Sequence, residues 1–205
     1  KAGFGWENGP FEIWDAIGVE KGIEMMKAEG YEPAAWVTEM IASGNTSFYS
    51  VKDGATYFYS ILSKSIEKIP GQDAFIILNN IRESKKVWNN SESIITDLGD
   101  GILNLEFTSK MNSIGAGVLQ GINKAIDMAE KGYNGLVIGN QDANFSVGAN
   151  LGMIFMLAVE QEYDEMNMAI KMFQDTMMRC RYSAIPVIAA PHGMTLGGGC
   201  ELTMH

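Results

Sequence analysis

Histidine and cysteine are scarce in this chain, with two of each in 205 residues. Cys180 and Cys200 form neither a disulfide framework nor a zinc-type spacing, which excludes a disulfide scaffold and suits a reducing cytoplasm. With only His192 and His205 available, a histidine-rich metal site is not expected. No apolar run approaches the roughly 20 residues that span a bilayer. No cleavable signal pattern opens the chain either. Positive charge is also in deficit: 15 Lys and Arg against 25 Asp and Glu leave a net charge of −10. Phosphate backbones demand clustered cations, so nucleic acid is not an expected partner. No repeat or low-complexity tract is visible. The chain opens on Lys1 rather than Met, which reads as a piece of a longer protein.

Glycine, by contrast, stands at pointed places. Ile185-Pro186-Val187-Ile188-Ala189-Ala190 is a short β-branched strand feeding Gly193-Met194-Thr195-Leu196-Gly197-Gly198-Gly199-Cys200-Glu201. Three successive glycines remove every Cβ from one turn, so a ligand atom can approach the amide N–H groups closely. A helix starting at Gly198 or Gly199 leaves its first N–H groups without intrahelical partners, and its dipole adds partial positive charge. Such donors make an oxyanion hole. Glu201, three positions after Gly198, falls on the same helical face, where a carboxylate can move a proton beside a polarised carbonyl. On spacing alone, these residues also make an ordinary strand-to-helix turn with an incidental glutamate. A second unit of the same kind lies upstream. Gly135-Leu136-Val137-Ile138-Gly139 reads as a buried strand, followed by Phe145-Ser146-Val147-Gly148-Ala149-Asn150 and a long helical pattern.

With both turns in view, residues 101–205 resemble the first half of the crotonase (enoyl-CoA hydratase/isomerase) superfamily. Phe145–Asn150 is similar to that family's first oxyanion motif and Leu196–Leu202 to its second. Met111-Asn112-Ser113-Ile114-Gly115 stands where the family has an Asn-containing motif after its first hairpin. The resemblance implies that the N–H groups of Ala149 and Gly198 hold the thioester oxygen of an acyl-CoA, and that Glu201 is the first of two hydratase glutamates. The family's usual Asp after Gly-Ala is here Asn150, and the second glutamate is expected some twenty residues past Glu201, beyond residue 205. With Glu201 alone, the piece itself is expected to be inactive as a hydratase. The implied fold is α/β, an incomplete crotonase-like ββα spiral preceded by a small helical segment. The implied intact assembly is a homo-oligomer of the trimer type.

The beginning of the chain has another character. Gly9-Pro10-Phe11-Glu12 opens a helical pattern with Phe11, Trp14 and Ile17 on one side, and Pro33 stands at a first helical position ahead of Ala34–Ile41. This stretch resembles the carboxy-terminal helical domain of 3-hydroxyacyl-CoA dehydrogenases, whose nicotinamide-binding domain lies upstream. No G-x-G-x-x-G occurs here, so this chain is expected neither to bind NAD nor to transfer hydride, although the resemblance implies NAD for the parent protein. The organisation read is therefore 1–60 as the end of the dehydrogenase helical domain, 61–100 as a connector with short strands, and 101–205 as the first half of the crotonase-like domain. Within the connector, Ala74–Leu78, Val87–Asn90 and Ser93–Asp100 read as short strands, and Gly99-Asp100-Gly101 as a hairpin turn before a half-buried strand over Ile102–Thr108. Trp6, Phe11, Trp14 and Trp36 read as core.

Three helices are expected further on, over 116–131, 152–161 and 164–182. The first carries one apolar stripe of Val118, Ile122, Ala125, Ile126 and Ala129. The last is rich in methionine, at Met166, Met168, Met172, Met177 and Met178, which serves either core packing or, by the resemblance, the lining of a fatty-acyl tunnel. Lys110 or the Arg179/Arg181 pair could meet the coenzyme A phosphates or simply be solvated surface. The reading that results is part of a cytoplasmic fatty-acid β-oxidation multifunctional enzyme. It hydrates 2-enoyl-CoA to 3-hydroxyacyl-CoA, and the intact protein then oxidises that product with NAD. The alternatives are Δ3–Δ2 enoyl-CoA isomerisation and a non-catalytic structural or oligomerisation unit.

Overall fold

The computed structural model describes residues 3–205; Lys1, on which the sequence opens, and Ala2 lie outside the described residues. The chain divides into two compact units between Asn80 and Ile81, so the stretch 61–100 is shared between them.

The first unit begins with three helices: α1 (Pro10–Ile17), α2 (Val19–Ala28) and α3 (Ala35–Ala42). Pro10 occupies the first position of α1, where its missing N–H costs nothing, and the Glu12 carboxylate accepts a hydrogen bond from the Gly9 N–H. Pro33 is not the first residue of α3, contrary to expectation. Ala34 is extended (φ −58°, ψ 137°) and caps a helix that starts at Ala35. An antiparallel sheet of β1 (Tyr49–Lys52), β2 (Ala55–Ser60) and β3 (Ser65–Lys68) completes the unit. Asp15 of α1 accepts the N–H groups of Phe48 and Tyr49 at 2.7 and 2.9 Å, tying the helices to the sheet. Val19, Val37, Met40, Phe48 and Tyr59 form the core, with Trp14 and Trp36 packed on it. Trp6 does not join this core: it is exposed and lies against Phe4, with ring centroids 5.6 Å apart. Phe11 is also largely exposed, although its ring rests on Phe48.

Ala74–Leu78 is not a strand. Gln72–Ala74 forms a single 3-10 turn, and helix α4 (Leu78–Lys85) begins at Leu78. The cause is side-chain anchoring at both ends. Gln72 accepts from the Thr56 N–H at 2.8 Å, and Asn80 donates to the Gly54 carbonyl and the Thr56 hydroxyl. In the segment between them Phe75 and Ile76 are exposed.

The second unit is a five-stranded sheet in the order β4 (Lys86–Asn89), β5 (Ser93–Gly99), β6 (Ile102–Phe107), β7 (Gly135–Ile138), β8 (Val187–Ala189). The first three strands are antiparallel, and β6, β7 and β8 run parallel. Asp100 and Gly101 both take positive φ (53° and 76°), as a two-residue hairpin requires. Helix α5 (Ala116–Gly132) joins β6 to β7, and every residue of its expected stripe is buried. The Glu92 carboxylate reaches its first turn and accepts from the Val118 N–H at 3.2 Å. Helices α6 (Leu151–Val159) and α7 (Tyr163–Arg181) join β7 to β8, and α8 (Gly198–Met204) follows β8. Leu103, Leu105, Ile122, Ile126, Leu136, Ile138 and Phe145 are the heart of this core. Glu106 is nearly buried on β6 and is gripped through both oxygens by Arg82. Among the described residues, no helix is long and apolar enough to cross a membrane.

Candidate active site

Parallel strands deliver consecutive βα turns to the same end of a sheet, which is where open α/β sheets bind ligands. Here the turn after β7 (139–150) and the turn after β8 (190–197) run side by side. Phe145 N–H donates to the His192 carbonyl (2.9 Å), Ser146 N–H to Met194 (3.2 Å), and Leu196 N–H back to Ser146 (3.0 Å). Side chains add to this zip: Asn144 accepts from the Met194 N–H at 2.8 Å, and His192 Nε2 donates to the Asp142 carbonyl at 2.8 Å. A third segment braces the first turn. Asn112, with the positive φ of 53° that asparagine tolerates, donates to Asp142 and to the Asn144 carbonyl at 3.1 and 3.0 Å. Asn150 stands where Asp was expected and keeps the capping role, accepting from the Met153 N–H at the start of α6.

The turns meet at glycine. A Cβ on Gly148 (φ 88°) would lie 2.7 Å from the Leu196 carbonyl oxygen and 3.0 Å from the Gly198 nitrogen. A Cβ on Gly198 would lie 2.9 Å from the Phe173 ring and 3.6 Å from the Ala149 nitrogen. Gly148 and Gly198 are therefore demanded by close approach of backbone and ring. Among the described residues, neither the Ala149 N–H nor the Gly198 N–H has an acceptor. Both residues, with Glu201, line one cavity of about 250 Å³. Its remaining walls are largely apolar, Gln174 being the polar exception: Ile114 just before α5, Leu119 within it, Met153, Ile154 and Leu157 from α6, and Met166, Ile170 and Phe173 from α7. Glu201 is exposed at the cavity's edge, and no described residue forms a hydrogen bond or ion pair with its carboxylate.

The five methionines of α7 have three different surroundings. Met166 and Met172 line the cavity, Met177 is in the core, and Met168 and Met178 face solvent. Arg179 is committed elsewhere, bound to Asp127, Glu130 and Asn123. Lys110 is exposed. No group of three or more His, Cys, Asp or Glu side chains suited to a metal occurs among the described residues. The strand-to-helix turns at 108–115, 139–150 and 190–197 contain no G-x-G-x-x-G. Sequence reasoning missed the part played by Ser146 and Phe173. A serine two residues before a glycine N–H it can accept is a recognisable local signal; the Phe173 contact is purely tertiary.

A mixed α/β sheet that brings two backbone N–H groups and a carboxylate to one largely apolar cavity has the form of an enzyme domain able to hold an oxyanion. Residues 98–205 match the enoyl-CoA hydratase/isomerase family, and the chain belongs to it. Over 98% of its length the chain is 45% identical to a protein of Bacillus subtilis named "Probable 3-hydroxyacyl-CoA dehydrogenase". Over 58% of its length it is 27% identical to the fatty acid oxidation complex subunit alpha of Psychrobacter cryohalolentis. The chain spans about a quarter or less of these relatives, 25% and 17% of their lengths. The crystal structure of an enoyl-CoA hydratase from Polaromonas sp. JS666 superposes with a TM-score of 0.50 at 25% identity, covering 55% of this chain and 44% of the other.

Proposed function

We propose that this chain contributes the oxyanion-holding half of an enoyl-CoA hydratase site to a multifunctional fatty-acid β-oxidation protein. The observation that carries the reading is the pair of unpartnered N–H groups, Ala149 and Gly198, beside Glu201 on one apolar cavity. In the proposed reaction, the two N–H groups receive the thioester oxygen as it gains negative charge. Water adds across the conjugated bond, its oxygen to the β-carbon and a proton to the α-carbon. Glu201 handles one of the two protons moved, and a second carboxylate, from beyond residue 205 in the intact protein, handles the other. The walls formed by α6 and α7 would take the acyl chain. Lys110 rather than Arg179 is the cation proposed for the coenzyme A phosphates, because Arg179 is already paired.

The dehydrogenase named for the Bacillus relative suggests that the 3-hydroxyacyl-CoA product is oxidised with NAD elsewhere in the intact protein. The boundaries 1–60, 61–100 and 101–205, a cytoplasmic location and trimer-type assembly belong to the same proposal. The test is a coupled assay of the intact protein with trans-2-enoyl-CoA. Hydration at a useful rate supports the reading; no hydration, with 3-enoyl-CoA shifted to the conjugated isomer instead, replaces it with Δ3–Δ2 isomerisation, which needs one base above the same enolate. A second reading, a non-catalytic association unit, draws on α6, where Leu151, Met153, Phe155, Met156 and Val159 are exposed. Light scattering that finds this chain monomeric, together with a working hydratase assay, would remove that reading.

A further inference from the structure

The geometry points to Ser146 as a positioning residue: its hydroxyl clamps Gly148 and thereby sets the direction of the Ala149 N–H. This inference rests on the acyl-thioester reading above. Ser146 is completely buried. Its Oγ donates to the Asn112 carbonyl at 2.6 Å and accepts from the Gly148 N–H at 3.1 Å. Its own N–H and carbonyl are bonded to Met194 and Leu196 of the second turn. Its Cβ lies 2.8 Å from where a Cβ on Gly199 would stand. One small side chain therefore touches the Asn112 turn, the first oxyanion turn and the second.

The consequence follows from peptide geometry. The Gly148 carbonyl and the Ala149 N–H belong to one planar trans peptide, so they point in opposite directions. The carbonyl accepts from the Ile114 N–H at 2.8 Å, which sends the Ala149 N–H the other way. One hydrogen bond fixes a direction but leaves rotation about itself. At glycine that freedom is large, because both signs of φ are open. The bond from the Gly148 N–H to Ser146 removes it by holding the preceding peptide. Gly148 is thus clamped on both sides, and the Ala149 N–H is held while remaining unpaired. Preorganisation of this kind distinguishes an oxyanion donor from a solvated amide.

The test uses the intact protein with Ser146→Ala and Ser146→Cys. The first removes both hydrogen bonds; the second keeps a weak donor and acceptor. Turnover is measured with 2-butenoyl-CoA, and polarisation is read from the infrared carbonyl band of bound butanoyl-CoA labelled with carbon-13 at the thioester. Folding is checked by circular dichroism at the assay temperature. For Ser146→Ala the expected result is a kcat lower by about 10- to 100-fold with KM changed by less than about threefold. Its carbonyl band should move back toward the free position, with Ser146→Cys between it and the unsubstituted protein. A folded Ser146→Ala protein with unchanged kcat overturns the proposal, and so does a lowered kcat with an unmoved band. If the alanine variant does not fold, the cysteine variant decides by the same two readings. If neither folds, the hydroxyl is required for folding alone and the proposal is overturned. No carbonyl shift in the unsubstituted protein rejects the acyl-thioester reading itself; a normal shift there that Ser146→Ala leaves unmoved rejects only the role of Ser146.

Discussion

Between Phe145 and Ala149 the backbone is held by side chains, whereas between Leu196 and Gly199 it is held by their absence. Asn112 and Ser146 bond the first turn through an amide and a hydroxyl, and the Asn144 amide ties it to the Met194 N–H. The second turn passes Gly148 with the Leu196 carbonyl and the backbone of Gly197 and Gly198, and at Gly199 and Gly198 it meets Ser146 and the Phe173 ring with no Cβ in the way. Both turns present a backbone N–H to one cavity. Two local solutions thus yield the same donor, and they are open to damage in different ways: the first by deleting a polar atom or by adding a methyl group at Gly148, the second by adding a methyl group alone.

The largest effect should come from the group outside both turns. Glu201→Gln in the intact protein is expected to lower hydration by roughly 1000-fold, within the usual range for losing a general acid–base group. Acyl-CoA binding should be spared, since both N–H donors remain. An unchanged rate would remove Glu201 from the mechanism and leave the comparison of turns without a reaction to serve.

Next come the glycines at which the turns meet. Gly148→Ala would bring a Cβ to 2.7 Å from the Leu196 carbonyl oxygen at a φ of 88°, so backbone has to move. A loss of about 100- to 1000-fold in kcat/KM is expected, comparable with deleting an oxyanion donor. Gly198→Ala meets a side chain instead, the Phe173 ring at 2.9 Å. Its loss should therefore be partly reversed, by about tenfold, when Phe173→Leu is added. No side-chain change should rescue Gly148→Ala. Equal rescue in both cases would erase the distinction between backbone and ring contact.

How far the sequence discloses these features follows from the range of the forces involved. Helix α5 is legible because all five stripe residues it needs lie within its own 17 residues. The two turns are legible as strand, glycine and carboxylate, again a local pattern. The hairpin of β1 and β2 falls inside a stretch read as helical, although Asp53-Gly54 carries the two positive φ values of a two-residue turn (51° and 77°). That signal is local and clear, but the helical resemblance around it outweighs it. Ala74–Leu78 was not legible, because its path is decided by Gln72 and Asn80 reaching to Thr56 and Gly54, sixteen or more residues away. Helix α6 shows the reverse limit. Its nine residues are apolar enough to suggest a buried helix, yet none is buried, and part of its surface forms the cavity wall.

The first turn can be damaged without touching its peptide. Asn112→Ala removes the bonds to Asp142 and to the Asn144 carbonyl and places alanine at a φ of 53°. A destabilisation of about 2–4 kcal/mol is expected by denaturant unfolding, combining an unpaired, partly buried carbonyl with left-handed strain. Asn112→Gly should recover the backbone share only. The second turn offers no equivalent variant, since it contains no side chain whose removal frees a buried partner. A fully stable Asn112→Ala protein would show that the first turn, too, is held by shape alone.

The smallest effect is expected at the tie between α5 and α7, which bears on the second turn only through the Phe173 ring. Arg179 binds Asp127, and this hydrogen bond holds the Asp127 carboxyl below the usual aspartate range. A carboxyl whose pKa is lower folded than unfolded contributes stability above its unfolded value and loses it as pH falls through the folded one. The contribution should thus be complete at neutral pH and fade below about pH 4. Both side chains are partly solvated, so Arg179→Ala is expected to cost no more than about 1 kcal/mol at pH 7. At pH 3 the difference between variant and unsubstituted protein should shrink. It should also shrink in high salt, which screens exposed pairs. If the cost instead exceeded that of Asn112→Ala and held at low pH, α7 would be the principal support of the Gly198 turn. The glycine turn would then depend on a distant ion pair as much as on the absence of its own side chains.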